Sequence, residues 1–81
     1  MYTNSMKRAV RSLDSHCPKG FFVEILDNDM FITVRAKENL FMSLTDFDKR
    51  RAVEYISKLK VALEDNGAVV LVVREGGKDG N

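Results

Sequence analysis

The sequence contains few of the residues that build cross-links, cofactor sites or membrane spans. Its 81 residues include one cysteine, one proline, one histidine and no tryptophan. A single cysteine, Cys17, excludes an internal disulfide and indicates a reducing compartment. No apolar run approaches the roughly 20 residues of a membrane-spanning helix, and no apolar stretch follows the basic pair Lys7-Arg8 as in a secretory signal. These absences predict a cytoplasmic protein that does not associate with membranes.

Residues that commonly carry catalysis are also scarce. His16 and Cys17 are neighbours in a Ser-His-Cys-Pro segment, whereas the members of a catalytic cysteine–histidine pair normally meet across a fold. We therefore interpret this segment as a loop with an incidental thiol. Two potential ligands are too few for a closed zinc site, which needs four, and the C-terminal glycines match no phosphate-binding pattern. The sequence predicts no catalytic residue, no metal, no cofactor and no evident small-molecule substrate.

The pattern of apolar residues predicts the element order α-β-β-β-α-β in one domain over residues 1–75, followed by a flexible polar tail at 76–81. Apolar residues three and four positions apart favour a short amphipathic helix over residues 3–14. Three runs rich in aromatic and β-branched residues, at 21–26, 30–37 and 40–44, are predicted as strands. Because only short turns join these runs, we expect them to form an antiparallel meander.

The best-defined predicted element is a long amphipathic helix over residues 46–65. Thr45 is suited to cap its start, and Gly67 is suited to the left-handed position just past its end. The run at 68–73 is entirely apolar, which is typical of a strand buried on both faces. The helix before it is long enough to be a crossover, so this strand can pair parallel with an earlier one. The predicted fold is a small α+β domain in which the meander packs on the long helix and the C-terminal strand is buried.

Alternation along the predicted strands places Phe22, Phe31 and Phe41 on one face of the sheet together with Arg35. The opposite face is expected to pack on the long helix, so these phenylalanines also need cover. The favoured cover is the N-terminal helix. A protein partner or a second copy of the chain is the next alternative, and the stacked bases of a nucleic acid are the third.

Six basic residues are candidate nucleic-acid contacts: Lys49, Arg50 and Arg51 near the start of the long helix, and Lys7, Arg8 and Arg11 on the first helix. The start of a helix with added basic side chains binds phosphate groups well. The α-β-β-β-α order with a basic helix start resembles the topology of double-stranded-RNA-binding domains. A solvated helix face is nevertheless the favoured interpretation of the basic run at 49–51.

The sequence therefore predicts a small non-enzymatic regulatory or adaptor domain that binds a protein partner or forms a homodimer. Phe22, Phe31, Phe41 and Arg35 are the candidate interface residues. The alternative is a nucleic-acid-binding domain that uses the six basic residues. The net charge of +1 weighs against that alternative, because nucleic-acid-binding domains are usually strongly basic.

Overall fold

The computed structural model describes residues 1–76. These residues form helices and strands in the order α-β-β-α-α-β, with a 3₁₀ turn at Asp14–His16. The helices are α1 (Asn4–Ser12), α2 (Glu38–Met42) and α3 (Asp46–Asp65), and the strands are β1 (Val23–Asp27), β2 (Ile32–Lys37) and β3 (Val70–Glu75). The predicted α+β class is confirmed. The predicted flexible tail at 76–81 lies, apart from residue 76, outside the described residues.

The helix α3 has the bounds that its sequence predicts because signals mark both of its ends. The Thr45 hydroxyl accepts a hydrogen bond from the Asp48 N–H at 3.1 Å and so caps the first turn. Past the last turn, Gly67 has a φ of +96°, a left-handed conformation that glycine adopts without strain. The Ala68 N–H then donates to the Leu63 carbonyl at 3.1 Å, where the chain leaves the helix for β3.

The sheet is mixed, with the strand order β1-β2-β3 and β2 at its centre. β1 pairs antiparallel with β2, and β3 pairs parallel with β2, so that Val34 is aligned with both Ile25 and Val72. A parallel pair needs a crossover connection, which α2 and α3 supply. The parallel last strand agrees with the sequence-based expectation, but the prediction of a three-strand antiparallel meander is wrong.

The predicted third strand at 40–44 is instead part of the short helix α2 and the turn that follows it. α2 begins directly after β2, and the Ser43 N–H donates to the Asn39 carbonyl at 3.2 Å in the helical pattern. Leu40 and Phe41 pack against the core from this helix. A short apolar run fits a buried helical turn as well as a strand. The place beside β2 that a third meander strand would take is occupied by β3.

The core lies between one face of the sheet and the helices, which confirms that the sheet packs on the long helix. Ile32, Val34 and Ala36 of β2 point to this side and are almost fully buried. α1 packs on α3 and adds Met6 to the same core, so it does not cover the other face of the sheet. The buried apolar residues of the core are Met6, Phe21, Ile32, Val34, Ala36, Ala52, Tyr55, Leu59, Leu63 and Val70.

The strand β3 lies at an edge of the sheet and is largely exposed, so the prediction of a buried C-terminal strand is wrong. Val70 is buried, whereas Leu71, Val72 and Val73 are 46%, 42% and 40% exposed. The reason is that β3 is an edge strand of the sheet formed by residues 1–76, and the helices on its inner side leave Val72 partly exposed. Val72 points to the same side of the sheet as Val70 and still remains exposed. The molecule measures 32 × 30 × 14 Å, and its shortest dimension fits one helical layer on one sheet.

Candidate functional site

One face of the sheet is not covered by any helix of the described residues, and we call it the open face. Phe22 and Phe31 directly precede β1 and β2 and continue the alternation of the open face. The open-face residues within the strands are Glu24, Leu26, Thr33, Arg35, Lys37, Leu71, Val73 and Glu75. The open face is therefore built from all three strands of the sheet.

Several exposed apolar side chains lie on the open face. Leu26 and Leu71 lie on either side of Thr33 in one row across the three strands, and both are exposed. Val73 lies next to Leu71 along β3 on this face and is also exposed, whereas the exposed Phe22 lies two rows from Leu26, beyond Glu24. Contiguous apolar surface on a small domain is typical of an interaction site, whereas singly exposed apolar residues are ordinary.

Arg35 lies in the middle of the open face and is held by two carboxylates. Its Nε and Nη2 atoms lie 3.0 and 2.9 Å from Glu24 Oε1 on β1, and its Nε lies 3.8 Å from Glu75 Oε1 on β3. Lys37 is aligned with Glu75 in the register of β2 and β3. The charges of the open face thus balance one another within the chain, and the two carboxylates hold the guanidinium in place.

Three of the four predicted interface residues lie on one face of the sheet, with Phe22 and Phe31 at its opposite ends. Phe22, Phe31 and Arg35 share the open face, as alternation predicts. Phe41 does not, because it belongs to α2, where its ring packs edge-on against Phe21 with 6.4 Å between the ring centroids. The predicted aromatic face therefore contains two of its three phenylalanines.

The outer edge of β3 is a second feature of the same surface, which we call the free edge. The Ile32 N–H donates to the Val69 carbonyl at 2.8 Å, which fixes the residues of β3 whose backbone groups face β2. Since these groups alternate along a parallel strand, the N–H and C=O groups of Val70, Val72 and Arg74 point away from the sheet. Within residues 1–76 no other strand pairs with them. A free edge of this kind is a template for pairing with another strand.

The residues Leu71, Val72 and Val73 of the free edge are candidate site residues that the sequence-based interpretation missed. The signal was present, because these residues belong to the apolar run at 68–73. A strand of this composition is buried when other strands and helices surround it. When they do not, it is an exposed edge strand that can pair with another chain. The number of strands in the sheet decides between the two outcomes.

The predicted basic residues do not form one cluster that is free of acidic partners. Arg51 pairs with Asp48 at 3.3 Å, and the Lys7 ammonium lies 5.7 Å from the ring centroid of Tyr2. Lys49 and Arg50 line a shallow depression beside Phe41. Arg8 and Arg11 are exposed on α1. The element order α-β-β-β-α, which carried the resemblance to double-stranded-RNA-binding domains, is replaced by the observed α-β-β-α-α-β.

The thiol of Cys17 is placed in a packing position. Its Sγ–H donates to the Phe21 carbonyl at 3.0 Å, and the side chain is half-buried. Burial, and next the negative charge of Asp14, raise the pKa of the Cys17 thiol, whereas a nucleophilic cysteine has a lowered pKa. Burial, and next the neighbouring Cys17, raise the pKa of Tyr55 to about 12, so this phenol also stays protonated. His16 is exposed at the end of the 3₁₀ turn.

Two further properties of the described residues bear on the kind of site. Residues 1–76 contain no group of three or more histidine, cysteine, aspartate or glutamate side chains arranged to hold a metal ion. No helix in this part of the chain has the length and apolar character to cross a membrane. Comparisons of the chain with protein-family models, with curated proteins and with solved structures found no match.

Proposed function

We propose that this protein is a small non-enzymatic regulatory or adaptor domain of the cytoplasm that acts by binding protein through the open face and free edge of its sheet. The observation that carries the proposal is the group of exposed apolar side chains Leu26, Leu71 and Val73 on the open face. Burying such surface in a complex is favourable in proportion to the area removed from water. The lone cysteine supports a reducing location.

The arrangement of charges supports a protein as the partner. Arg35 is paired with Glu24 and lies near Glu75, and Lys37 is aligned with Glu75, so the charges of the open face balance one another. A nucleic-acid surface would need an excess of positive charge to neutralise phosphates. The raised pKa of the Cys17 thiol favours a binding role over an enzymatic role that would use Cys17 and His16.

Nucleic-acid binding is the second candidate function, and the depression lined by Lys49, Arg50 and Phe41 favours it. An aromatic ring beside two cations at the start of a helix can hold a base and a phosphate. Asp46 and Asp48 in the same helical turn oppose such binding. Phosphate contacts make affinity fall steeply with salt. Anisotropy of labelled RNA and DNA at two salt concentrations therefore separates this function from protein binding.

The test of the proposed function compares proteins captured by variants of the open face with proteins captured by a surface control. In-cell cross-linking followed by quantitative mass spectrometry should recover a partner with wild type and should lose it with Phe31→Ala and Leu71→Asp. Val61→Asp, at an exposed position of α3, is the matched control and should retain the same partner. Recovery by every variant alike, or by none, would overturn the proposal, provided that each variant keeps the wild-type circular dichroism spectrum.

Phe22→Ala gives a second variant of the same face. Phe22 precedes β1 and is exposed, so its truncation removes no core contact. We expect it to weaken association while the unfolding free energy changes by less than about 0.5 kcal/mol. Association that is unchanged by both Phe22→Ala and Phe31→Ala would remove the aromatic residues from the interface.

A further inference from the structure

We infer that β3 pairs antiparallel with β3 of a second copy of this chain, so that two three-stranded sheets join into one continuous six-stranded sheet. This inference rests on the proposed function and names the partner. The two copies are related by a two-fold axis at Val72, and both use the same surface. A symmetric pairing of this kind is the commonest way in which a protein associates with itself.

The backbone of the free edge is complementary to itself. Val70, Val72 and Arg74 direct their N–H and C=O groups outward, at every second residue. A two-fold axis at Val72 places this residue opposite its own counterpart and places Val70 opposite Arg74 of the second copy. Each facing pair exchanges two hydrogen bonds in an antiparallel ladder. All outward-directed backbone groups within β3 are then satisfied.

The charges of β3 favour the two-fold axis at Val72 over its neighbours. An axis at Val73 would bring the two Arg74 side chains to diagonal positions about 7–8 Å apart, where like charges repel. An axis at Leu71 would leave the outward groups of Arg74 beyond the strand of the second copy. With the axis at Val72, Leu71 faces Val73 and Glu75 faces Val69, so that no like charges meet.

The two charged residues of β3 have partners in their own chain, which keeps the seam between the copies apolar. Arg74 makes a two-pronged ion pair with Glu38 of α2, with Nε–Oε1 and Nη2–Oε2 distances of 2.8 Å. Glu75 lies 3.8 Å from Arg35 on β2. These contacts hold both charges on the side of the parent chain. Leu71, Val72 and Val73 from each copy therefore form the apolar centre of the seam.

The opposite edge of the sheet does not offer an equivalent seam. Asp27 at the end of β1 accepts a hydrogen bond from the Tyr2 N–H at 3.0 Å and another from the Met1 amino group. The N-terminal residues therefore lie at this end of β1. β1 also carries two carboxylates, Glu24 and Asp27, in five residues. Association through β3 alone yields a closed dimer, and no open chain of sheets follows.

The oligomeric state is the first test of this inference. Sedimentation equilibrium of wild type, from low micromolar to near-millimolar protein, should show a rise from the 9.2 kDa chain mass to twice that value. Val72→Pro removes an outward N–H without removing a bond to β2, and it should keep the mass at that of one chain. Val23→Pro is the matched control, since it makes the same substitution at an outward position of β1, and it should still dimerise.

Disulfide trapping is the second test, and it shows whether β3 pairs with β3 of a second copy even if Val72→Pro fails to fold. In a Cys17→Ser background, Val72→Cys places two thiols opposite each other at the two-fold axis, within disulfide range. Val69→Cys is the control. Val69 is more exposed than Val72, at 64% against 42%, but in the proposed dimer it lies far from Val69 of the second copy. Faster cross-linking of Val72→Cys than of Val69→Cys is the expected result. Random collision would give the opposite order, and that order would overturn the inference.

The outcomes separate this inference from the proposed function. Wild type that stays at 9.2 kDa at every concentration overturns the β3 dimer, whether or not a different protein is captured. If Leu71→Asp then still loses a captured partner that Val61→Asp retains, protein binding by the open face stands and its partner is a different chain. A dimer that Val72→Pro and Val23→Pro both leave intact also overturns the inference, because it must use another surface.

Discussion

β1 and β3 are the two edges of one three-stranded sheet, and they meet solvent in different ways. At β1, the Asp27 carboxylate accepts hydrogen bonds from the N-terminal residues, and Glu24 pairs with Arg35 of the neighbouring strand. At β3, three successive apolar residues are exposed, and the strand contains no proline, glycine or lysine. Charges and overlying chain are common ways of protecting a sheet edge; at β1 a carboxylate contacts the N-terminal residues, whereas the charges of β3, Arg74 and Glu75, lie only at its last two positions.

This difference indicates that the two edges have different roles. An apolar, unprotected edge strand is an aggregation hazard unless it is paired. Both edge strands contain two charged residues, but those of β3 lie together at its C-terminal end, so that its first four residues are all apolar. Pairing of β3 accounts for the difference, because the same composition that is a liability in water is suitable for a strand inside a larger sheet.

The largest expected effect comes from removing the buried side chain that anchors the start of β3. Leu63 is fully buried, and its carbonyl accepts the N–H of Ala68 just before β3. We expect Leu63→Ala to lower the unfolding free energy by about 2–5 kcal/mol, because it removes buried methyl groups and leaves a cavity. Urea denaturation measures the loss. Native-state hydrogen exchange should show that the amides of β3 open more than those of β1.

The control for this prediction is an exposed position on the same helix. Val61 is 55% exposed, and Val61→Ala should change the unfolding free energy by less than about 0.5 kcal/mol. If Val61→Ala and Leu63→Ala lowered the unfolding free energy equally, the assignment of Leu63 to the buried side of α3 and of Val61 to the exposed side would be wrong.

The next largest effect comes from giving β3 the protection that β1 has. Leu71→Lys places a charge on the seam, and we expect the dissociation constant for self-association to rise roughly tenfold or more. The unfolding free energy should change little, because Leu71 is exposed in the single chain. Sedimentation and urea denaturation measure the two quantities. Leu26→Lys, on the β1 side of the open face, should leave the β3 dimer intact, and loss of the dimer in that variant would contradict an edge-to-edge seam.

A smaller effect is expected from removing the protection of β1. The hydrogen bond with the N-terminal amino group, above all, holds the pKa of Asp27 below its ordinary value of 3.8. The stability that this contact contributes is therefore complete above the ordinary pKa and is lost as the pH falls through the lowered pKa of the folded state. Wild type should exceed Asp27→Asn in stability near neutral pH, and the difference should vanish in strong acid. Urea denaturation across a pH series tests this, and a difference that persists in strong acid would contradict the contact.

The smallest effect concerns Cys17, which lies away from both edges. Since burial raises the pKa of its thiol, the native protein should react with a thiol reagent at mildly alkaline pH more slowly than the urea-unfolded chain does. The reaction is followed by absorbance. Faster reaction of the native protein would indicate an activated thiol. Residues 16 and 17 would then replace the sheet as the candidate functional site.

The sequence determined some elements fully because their signals are local. α3 combines a cap at Thr45, a periodic apolar stripe and a left-handed glycine at 67, and its observed bounds agree with the prediction. Alternation along β1 and β2 placed Phe22, Phe31 and Arg35 on one face, because the period of a strand is fixed by its backbone. The association of this face with a partner stays a prediction.

Other features could not be read from local pattern. The run at 40–44 is short and apolar, and such a run has no periodicity that separates a helical turn from a strand. This is why Phe41 was assigned to the wrong face. An apolar run such as 68–73 fits a central strand as well as an edge strand. Only the number of neighbouring strands distinguishes the two positions. The exposure of this run follows from its position beside one strand, β2, in the part of the chain that the structure describes.

Residue-resolved hydrogen exchange at increasing protein concentration tests the central claim most directly, because it compares the two edges in one sample. The outward amides of Val72 and Arg74 lack a partner in the single chain and gain one in the dimer. We predict that their protection rises with concentration, whereas the outward amides of Val23 and Ile25 on β1 stay unprotected. Protection that does not change with concentration at β3, or that rises at β1 instead, would contradict the account.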